Sequence, residues 1–197
     1  LDLVRYTDWV FGTSSGETMS GSNGVDDILI GLDGNDTLNG LSGDDILLGG
    51  EGNDTLNGGD DDDELYGGAG NDNLDGDDGN NIIYGGAGDD TINVSGAGNN
   101  ILVGGDGDDT VNGDDGNDIF YDVTAADEEL SDPYNMDDDG DIFRGYDGDD
   151  TFILQARHND AYGGEDNDSY TVYFHGEGEN WSRNRLHEES GTDTIIF

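Results

Sequence analysis

A nine-residue unit, Gly-Gly-x-Gly-x-Asp-x-Leu-x, recurs along the chain, and its last third alternates between two chemistries, so the true period is eighteen. The clearest copies are Gly49–Asn57 (GGEGNDTLN), Gly67–Asp75 (GGAGNDNLD), Gly85–Asn93 (GGAGDDTIN) and Gly104–Asn112 (GGDGDDTVN). Self-similarity at so short a period specifies a solenoid, because each unit is one supersecondary element that buries its apolar residue only by stacking on its neighbours. Numbering the first Gly as position 1, repeats start at Gly12, Gly21 and every nine residues from Gly31 to Gly85, then at Ser95, Gly104 and Gly113. Weaker copies start at Met136, Gly145, Leu154 and Gly163. The Gly21 copy carries one extra residue, and Val94 is a second one-residue insertion.

Within the unit, positions 1–6 read as a turn, with Gly where the backbone needs positive φ and Asp or Asn, which tolerate left-handed geometry, between. The last three residues read as a short strand. Its middle residue, position 8, is apolar in repeat after repeat: Met19, Leu29, Leu38, Leu47, Leu56, Leu65, Leu74, Ile83, Ile92, Leu102, Val111 and Phe120. These side chains are the expected core, and alternation along a strand sends positions 7 and 9 outward. In alternate repeats the outward pairs are Thr18/Ser20, Thr37/Asn39, Thr55/Asn57, Asn73/Asp75, Thr91/Asn93 and Thr110/Asn112, a Thr and Asn ladder. In the others they are Ile28/Ile30, Ile46/Leu48, Glu64/Tyr66, Ile82/Tyr84, Ile101/Val103 and Ile119/Tyr121, an apolar and aromatic stripe. Two outer faces at period eighteen put successive strands in opposite sheets. The expected fold is therefore all-β, a parallel β-roll: a two-sheet solenoid with one coil per two nonapeptide repeats.

A core one side chain thick supplies only about 2 kcal/mol of apolar transfer energy per repeat. Against it stand 49 acidic residues and five Arg, with no Lys, a formal charge of −44. Self-repulsion of that size keeps a bare chain expanded, so such a chain needs counter-cations to fold. Low hydrophobicity with high charge otherwise reads as disorder, and the periodicity is what overturns that reading here. The same charge makes nucleic acid and anionic membranes poor partners. With no Cys there are no disulfides or thiolate metal sites, and no run of eighteen apolar residues suggests membrane insertion.

The nonapeptide resembles, residue for residue, the repeats-in-toxin (RTX, hemolysin-type) family of calcium-binding β-rolls, over roughly residues 12 to 171. The resemblance implies that each Ca²⁺ sits between turns two repeats apart, on one edge of the roll, held by position-6 Asp carboxylates and turn carbonyls. Ligation by oxygen alone at six or more sites suits Ca²⁺ better than Mg²⁺, which gives up its waters reluctantly. Carried onto this chain, the ligands are Asp27, Asp36, Asp45, Asp54, Asp63, Asp72, Asp90, Asp109 and Asp118. Asp141, Asp150 and Asp168 belong to a second calcium block, in which Asp150 and Asp168 share an ion. Roughly six to eight ions are expected in all. On the edge of the Thr ladder, position 6 is acidic from Glu17 to Asp109; on the other edge Asn81 and Asn100 interrupt it, which predicts a vacant or weak site. Asp61 replaces the position-4 Gly of its turn, putting that geometry in question, and the Leu154 repeat, with Asn159 and Ala161 at key positions, reads as degenerate.

Residues 1–121 are thus expected to hold an N-terminal cap segment and the main roll, 122–135 an excursion with a short helix capped by Thr124, 136–171 the second block, and 172–197 a non-repeat C-terminal cap or connecting segment. The abrupt start, in what looks like structured sequence without a signal peptide, reads as a piece of a longer protein. Asn135, Asp137, Asp139 and Gly140 imitate an EF-hand start, but Tyr146 stands where the bidentate Glu is needed. Trp181 among Arg residues is a second candidate platform, for carbohydrate. His158, His175 and His187 lie outside the array, no nucleophile–base spacing can be argued, and carboxylates in nearly every turn single out none as an acid or base, so no enzymatic activity is expected. The resemblance implies a calcium-folded structural and secretion module of a secreted or cell-surface bacterial protein, of the kind exported by type I secretion. The alternative is a calcium-dependent assembly or adhesion module (surface layer, filament, adhesin, ice or glycan binding). It would use the Thr/Asn face, or the Ile46/Leu48/Tyr66/Tyr84/Val103/Tyr121 face toward a second copy or a partner protein.

Overall fold

In the computed structural model, the described residues are 9–122, 141–154, 159–172, 184–187 and 190–196. They form nineteen strands and no helix. In chain order these are β1 (Trp9–Phe11), β2 (Thr18–Ser20), β3 (Ile28–Asp33), β4 (Thr37–Ser42), β5 (Ile46–Glu51), β6 (Thr55–Asp60) and β7 (Glu64–Ala69). There follow β8 (Asn73–Asp77), β9 (Ile82–Ala87), β10 (Thr91–Asn93), β11 (Ile101–Asp106), β12 (Thr110–Asn112) and β13 (Ile119–Asp122). The remainder are β14 (Ile142–Asp147), β15 (Thr151–Leu154), β16 (Asp160–Glu165), β17 (Ser169–Val172), β18 (Arg185–His187) and β19 (Thr194–Ile196). All odd strands pair in sequence in one parallel sheet and all even strands in a second. The roll therefore makes one coil per two repeats, as the period of eighteen requires.

Each strand places its position-8 residue inward. The twelve expected core residues from Met19 to Phe120 are all buried, joined by Phe143, Phe152, Ala161 and Tyr170 farther along. Toward the C-terminal turns aliphatic residues give way to aromatic ones. Phe152 stacks on Phe120 at 4.7 Å and on Tyr170 at 4.8 Å between ring centroids, nearly parallel in both cases. One side chain from each sheet fills the space between them, and stacking along the axis does the rest.

Most strands are longer than three residues, running on through positions 1–3 of the following repeat, as in β5 and β9. The chain then turns by taking left-handed φ at positions 2 and 4. Non-glycine residues accept the same conformation: Leu32 (81°), Leu41 (89°), Asp77 (55°) and Tyr146 (78°) at position 2, Asp61 (84°) and Asp166 (83°) at position 4. Asp61 therefore preserves its turn instead of breaking it, since a short polar side chain tolerates this region.

The stacking crosses the 123–140 segment, with β12 paired to β14 and β13 to β15 in register. The Leu154 repeat, degenerate in sequence, still contributes the full strand β16, with Ala161 opposite Phe143. Beyond the recognisable repeats, β18 and β19 add one more rung to each sheet, placing Leu186 beside Ala161 and Ile195 beside Tyr170. The expected helix after Thr124, the EF-hand-like run at 135–140 and Trp181 lie outside the described residues.

Candidate metal centres along the two edges

The position-6 side chains meet at the turns, and two hydrogen-bonded ladders run along the two edges of the roll. The Asp45 amide donates to Asp63 Oδ1 (2.8 Å), Asp54 to Asp72 (2.7 Å) and Asp72 to Asp90 (2.8 Å). The ladder on the Thr edge runs from Glu17 through Asp36, Asp54, Asp72, Asp90, Asp109 and Asp141 to Asn159 and Asn184. The other runs Asp27, Asp45, Asp63, Asn81, Asn100, Asp118, Asp150, Asp168, Asp193. The twelve acidic residues singled out by position are thus distributed over two continuous rows, all buried. Asp150 and Asp168 are neighbours on one of them.

From Asp36 onward, one oxygen of each carboxylate accepts from the amide of the preceding coil, while Asp27 Oδ2 accepts from the Ser22 amide in its own turn. In Asp36, Asp45, Asp54, Asp63, Asp72, Asp90, Asp150 and Asp168 the other oxygen, Oδ2, is buried without a hydrogen-bond donor, and in Asp27 it is Oδ1. Burying a charged oxygen unpaired is costly, so a row of them calls for a counter-charge. The position-1 glycines show what else faces that space. A β-carbon on Gly31 would stand 2.5 Å from both Asp36 Oδ2 and the carbonyl oxygen of Gly49, one coil on. The same pairing of a carboxylate oxygen with the next coil's carbonyl borders Gly12, where the carboxylate is that of Glu17, and Gly21, Gly40, Gly49, Gly58, Gly67, Gly85 and Gly145, nine cradles in all among the described residues. Any side chain at position 1 would fill the cradle.

No group of three or more Asp, Glu, His or Cys side chains converges among the described residues. Each cradle instead combines carboxylate with backbone carbonyl. That all-oxygen, partly neutral donor set fits a hard cation with a high coordination number and flexible geometry, such as Ca²⁺. It offers nothing to a metal that prefers nitrogen or sulfur.

The electrostatics carry the same signature. Burial, opposed by the hydrogen bond from the preceding rung, pushes Asp45 and Asp90 up to about 6 and Asp63 and Asp72 up to about 7. Asp150 is pushed up to about 8, with neighbouring carboxylates adding to the burial. Burial thus makes these carboxylates hold their charge reluctantly unless a cation neutralises it. Glu17 differs: Thr13 and Ser15 donate to its carboxylate and lower its pKa.

A third set of contacts was not anticipated from the sequence. Position-5 side chains cap the amide of the position-5 residue one coil later, in the opposite sense to the position-6 ladders: Asn35 Oδ1 accepts from Asn53 N–H (3.1 Å) and Asp62 Oδ1 from Asn80 N–H (2.7 Å). The signal was present, since position 5 is Asp or Asn in nearly every turn. It becomes a ladder only once the coil is closed at eighteen residues.

The outer faces follow the two chemistries. Thr18, Thr37, Thr55, Asn73, Thr91 and Thr110 stand in register on the even sheet. On the odd sheet Tyr66 and Tyr84 stack at 5.1 Å, and Tyr84 (39%), Trp9 (58%) and Phe11 (57%) are exposed.

A model of the RTX calcium-binding nonapeptide repeat matches the chain in four copies, at residues 11–47, 20–56, 57–92 and 94–121, together more than half its length. No curated protein matches it.

Proposed function

The chain belongs to the RTX calcium-binding nonapeptide repeat family, and from that membership we propose that it is a β-roll module that folds outside the cell on binding Ca²⁺ and serves a secreted or cell-surface protein as a structural and secretion element. The observation that carries this reading is the set of seven buried carboxylate oxygens without donors, on Asp36, Asp45, Asp54, Asp63, Asp72, Asp90 and Asp150, each facing a carbonyl of the next coil. Each of these seven cradles holds one ion, giving about seven. Bound calcium offsets the repulsion among 49 acidic residues and joins coil to coil where the thin core does not. Where calcium is scarce the chain stays extended and able to be exported, and outside the cell it closes. The module performs no catalysis: its carboxylates are committed to cations.

The test is a titration of the isolated chain with Ca²⁺ and, separately, Mg²⁺, following far-UV circular dichroism and mass by light scattering. A cooperative coil-to-β transition specific to Ca²⁺ is expected; the same β signal in excess chelator overturns the reading.

A second reading is favoured by the exposed Trp9, Phe11 and Tyr84 on the odd sheet: calcium-dependent assembly with a second copy through that face. Tyr84→Asp then keeps calcium-induced folding and abolishes a calcium-induced rise in mass.

A further inference from the structure

The row on the second edge changes character at Gly76. There a β-carbon would meet, in place of a carboxylate oxygen, the amide Nδ2 of Asn81 (2.7 Å), and, in place of the next coil's carbonyl, Cγ1 of Val94 (3.0 Å). Both oxygens of the cradle have been exchanged, one for a hydrogen-bond donor and one for a methyl group. Val94 is the residue that breaks the nine-residue spacing, and it is buried, 8% exposed, as part of the apolar core. An insertion that reads in the sequence as slippage therefore has a definite place: it fills the cradle.

The neighbouring rungs are satisfied by protein alone. The Asn81 backbone N–H donates to Asn100 Oδ1 (2.8 Å), and Asn100 Nδ2 donates to Asp118 Oδ1 (3.0 Å). Asp118 Oδ2 accepts from the Asp114 amide (3.0 Å), so both oxygens of this carboxylate are engaged. Gly98, Asp114 and Gly116 also leave the left-handed region that positions 2 and 4 take elsewhere.

We propose that Asn81 and Val94 convert one cation site into a metal-free rung, an amide-and-methyl plug that divides the calcium row of this edge into an Asp27–Asp45–Asp63 block and an Asp150–Asp168 block, while the row on the other edge runs unbroken from Asp36 to Asp90. This inference rests on the calcium reading above. A cation is excluded because the Asn81 amide presents hydrogens, not lone pairs, to the space and the Val94 methyl occupies it. The rung is held by hydrogen bonds that do not depend on calcium.

Calcium bound per chain, measured by equilibrium dialysis at saturation, tests it. Asn81→Asp combined with deletion of Val94 restores both oxygens and is expected to bind one more ion than the unaltered chain. Asn81→Ala is expected to bind the same number as the unaltered chain, with a lower Tm in saturating Ca²⁺. Loss of an ion in Asn81→Ala overturns the proposal, and so does a folded Asn81→Asp, Val94-deleted chain with no added ion; if that variant does not fold, the Asn81→Ala count decides. An unaltered chain that binds no Ca²⁺ overturns the proposed function first and this inference with it, whereas a normal count with the wrong response to substitution overturns this inference alone.

Discussion

At the scale of single residues, the position-6 Asp does two jobs with two oxygens, and substitution separates them. Asp72→Asn keeps Oδ1, which accepts from the Asp54 amide, and exchanges the donor-free Oδ2 for an amide. It is expected to lose one ion per chain and raise the calcium midpoint severalfold while the saturated fold is retained; dialysis and circular dichroism read both. Position 2 gives the opposite sign. Leu32 and Leu41 hold φ near 81° and 89° and are only 47% and 40% exposed. A β-carbon in the left-handed region costs roughly 1–2 kcal/mol, against roughly 0.5–1 kcal/mol of extra chain entropy for Gly. Leu32→Gly should therefore stabilise the saturated protein by about 0.5–1 kcal/mol, visible as a raised Tm. The residue pattern made positions 6 and 8 legible, because a carboxylate or a lone apolar side chain at fixed phase has one destination in a solenoid. It left position 5 illegible: Asp and Asn suit turns everywhere, and only contact with a residue eighteen away gives them the capping role seen at Asn35 and Asp62.

At the scale of elements, the alternation Ile46/Leu48 against Thr55/Asn57 was enough to assign neighbouring strands to opposite sheets, and the pairing follows it. Strand length was not legible, because Gly-Gly at positions 1 and 2 reads as turn while its backbone continues the ladder, as Gly50 beside Gly68 and Gly68 beside Gly86 show. Nor was β16, whose Ala161 carries too small a side chain to mark a core position, or β18, where Leu186 belongs to no copy of the nonapeptide; both stack in register on the strand before them. A roll whose coils touch only their neighbours behaves as a nearly one-dimensional array. Phe152 is the middle of the Phe120–Phe152–Tyr170 stack, and truncating a buried Phe costs about 3–5 kcal/mol. Phe152→Ala should thus loosen the turns after β13 while β3 to β9 stay intact. Hydrogen exchange in saturating Ca²⁺ checks this, with amides of 142–154 and 159–172 losing protection and those of 28–87 keeping it; uniform loss would show a single cooperative unit instead.

At the scale of the whole molecule, charge and calcium are coupled through pH. The raised values of Asp45, Asp90 and Asp118 (about 6), Asp63 and Asp72 (about 7) and Asp150 (about 8) all arise first from burial. A carboxyl that is a weaker acid in the folded chain than in the unfolded one binds protons preferentially when folded, so without metal each such group opposes folding above its folded value and ceases to do so below its unfolded value near 4. The sign is opposite to that of a salt-bridged Asp. In chelator, β content should therefore rise as pH falls from about 8 toward 4, helped by the shrinking net charge. With calcium the direction reverses, because a proton and Ca²⁺ compete for the same oxygens: the calcium midpoint should climb as pH drops from 8 to 6, the window in which most of these groups titrate. Circular dichroism against pH, once in chelator and once at fixed calcium, distinguishes the two effects. Two curves of the same slope would mean that the buried carboxylates are not where calcium binds, and that surface charge alone governs the transition.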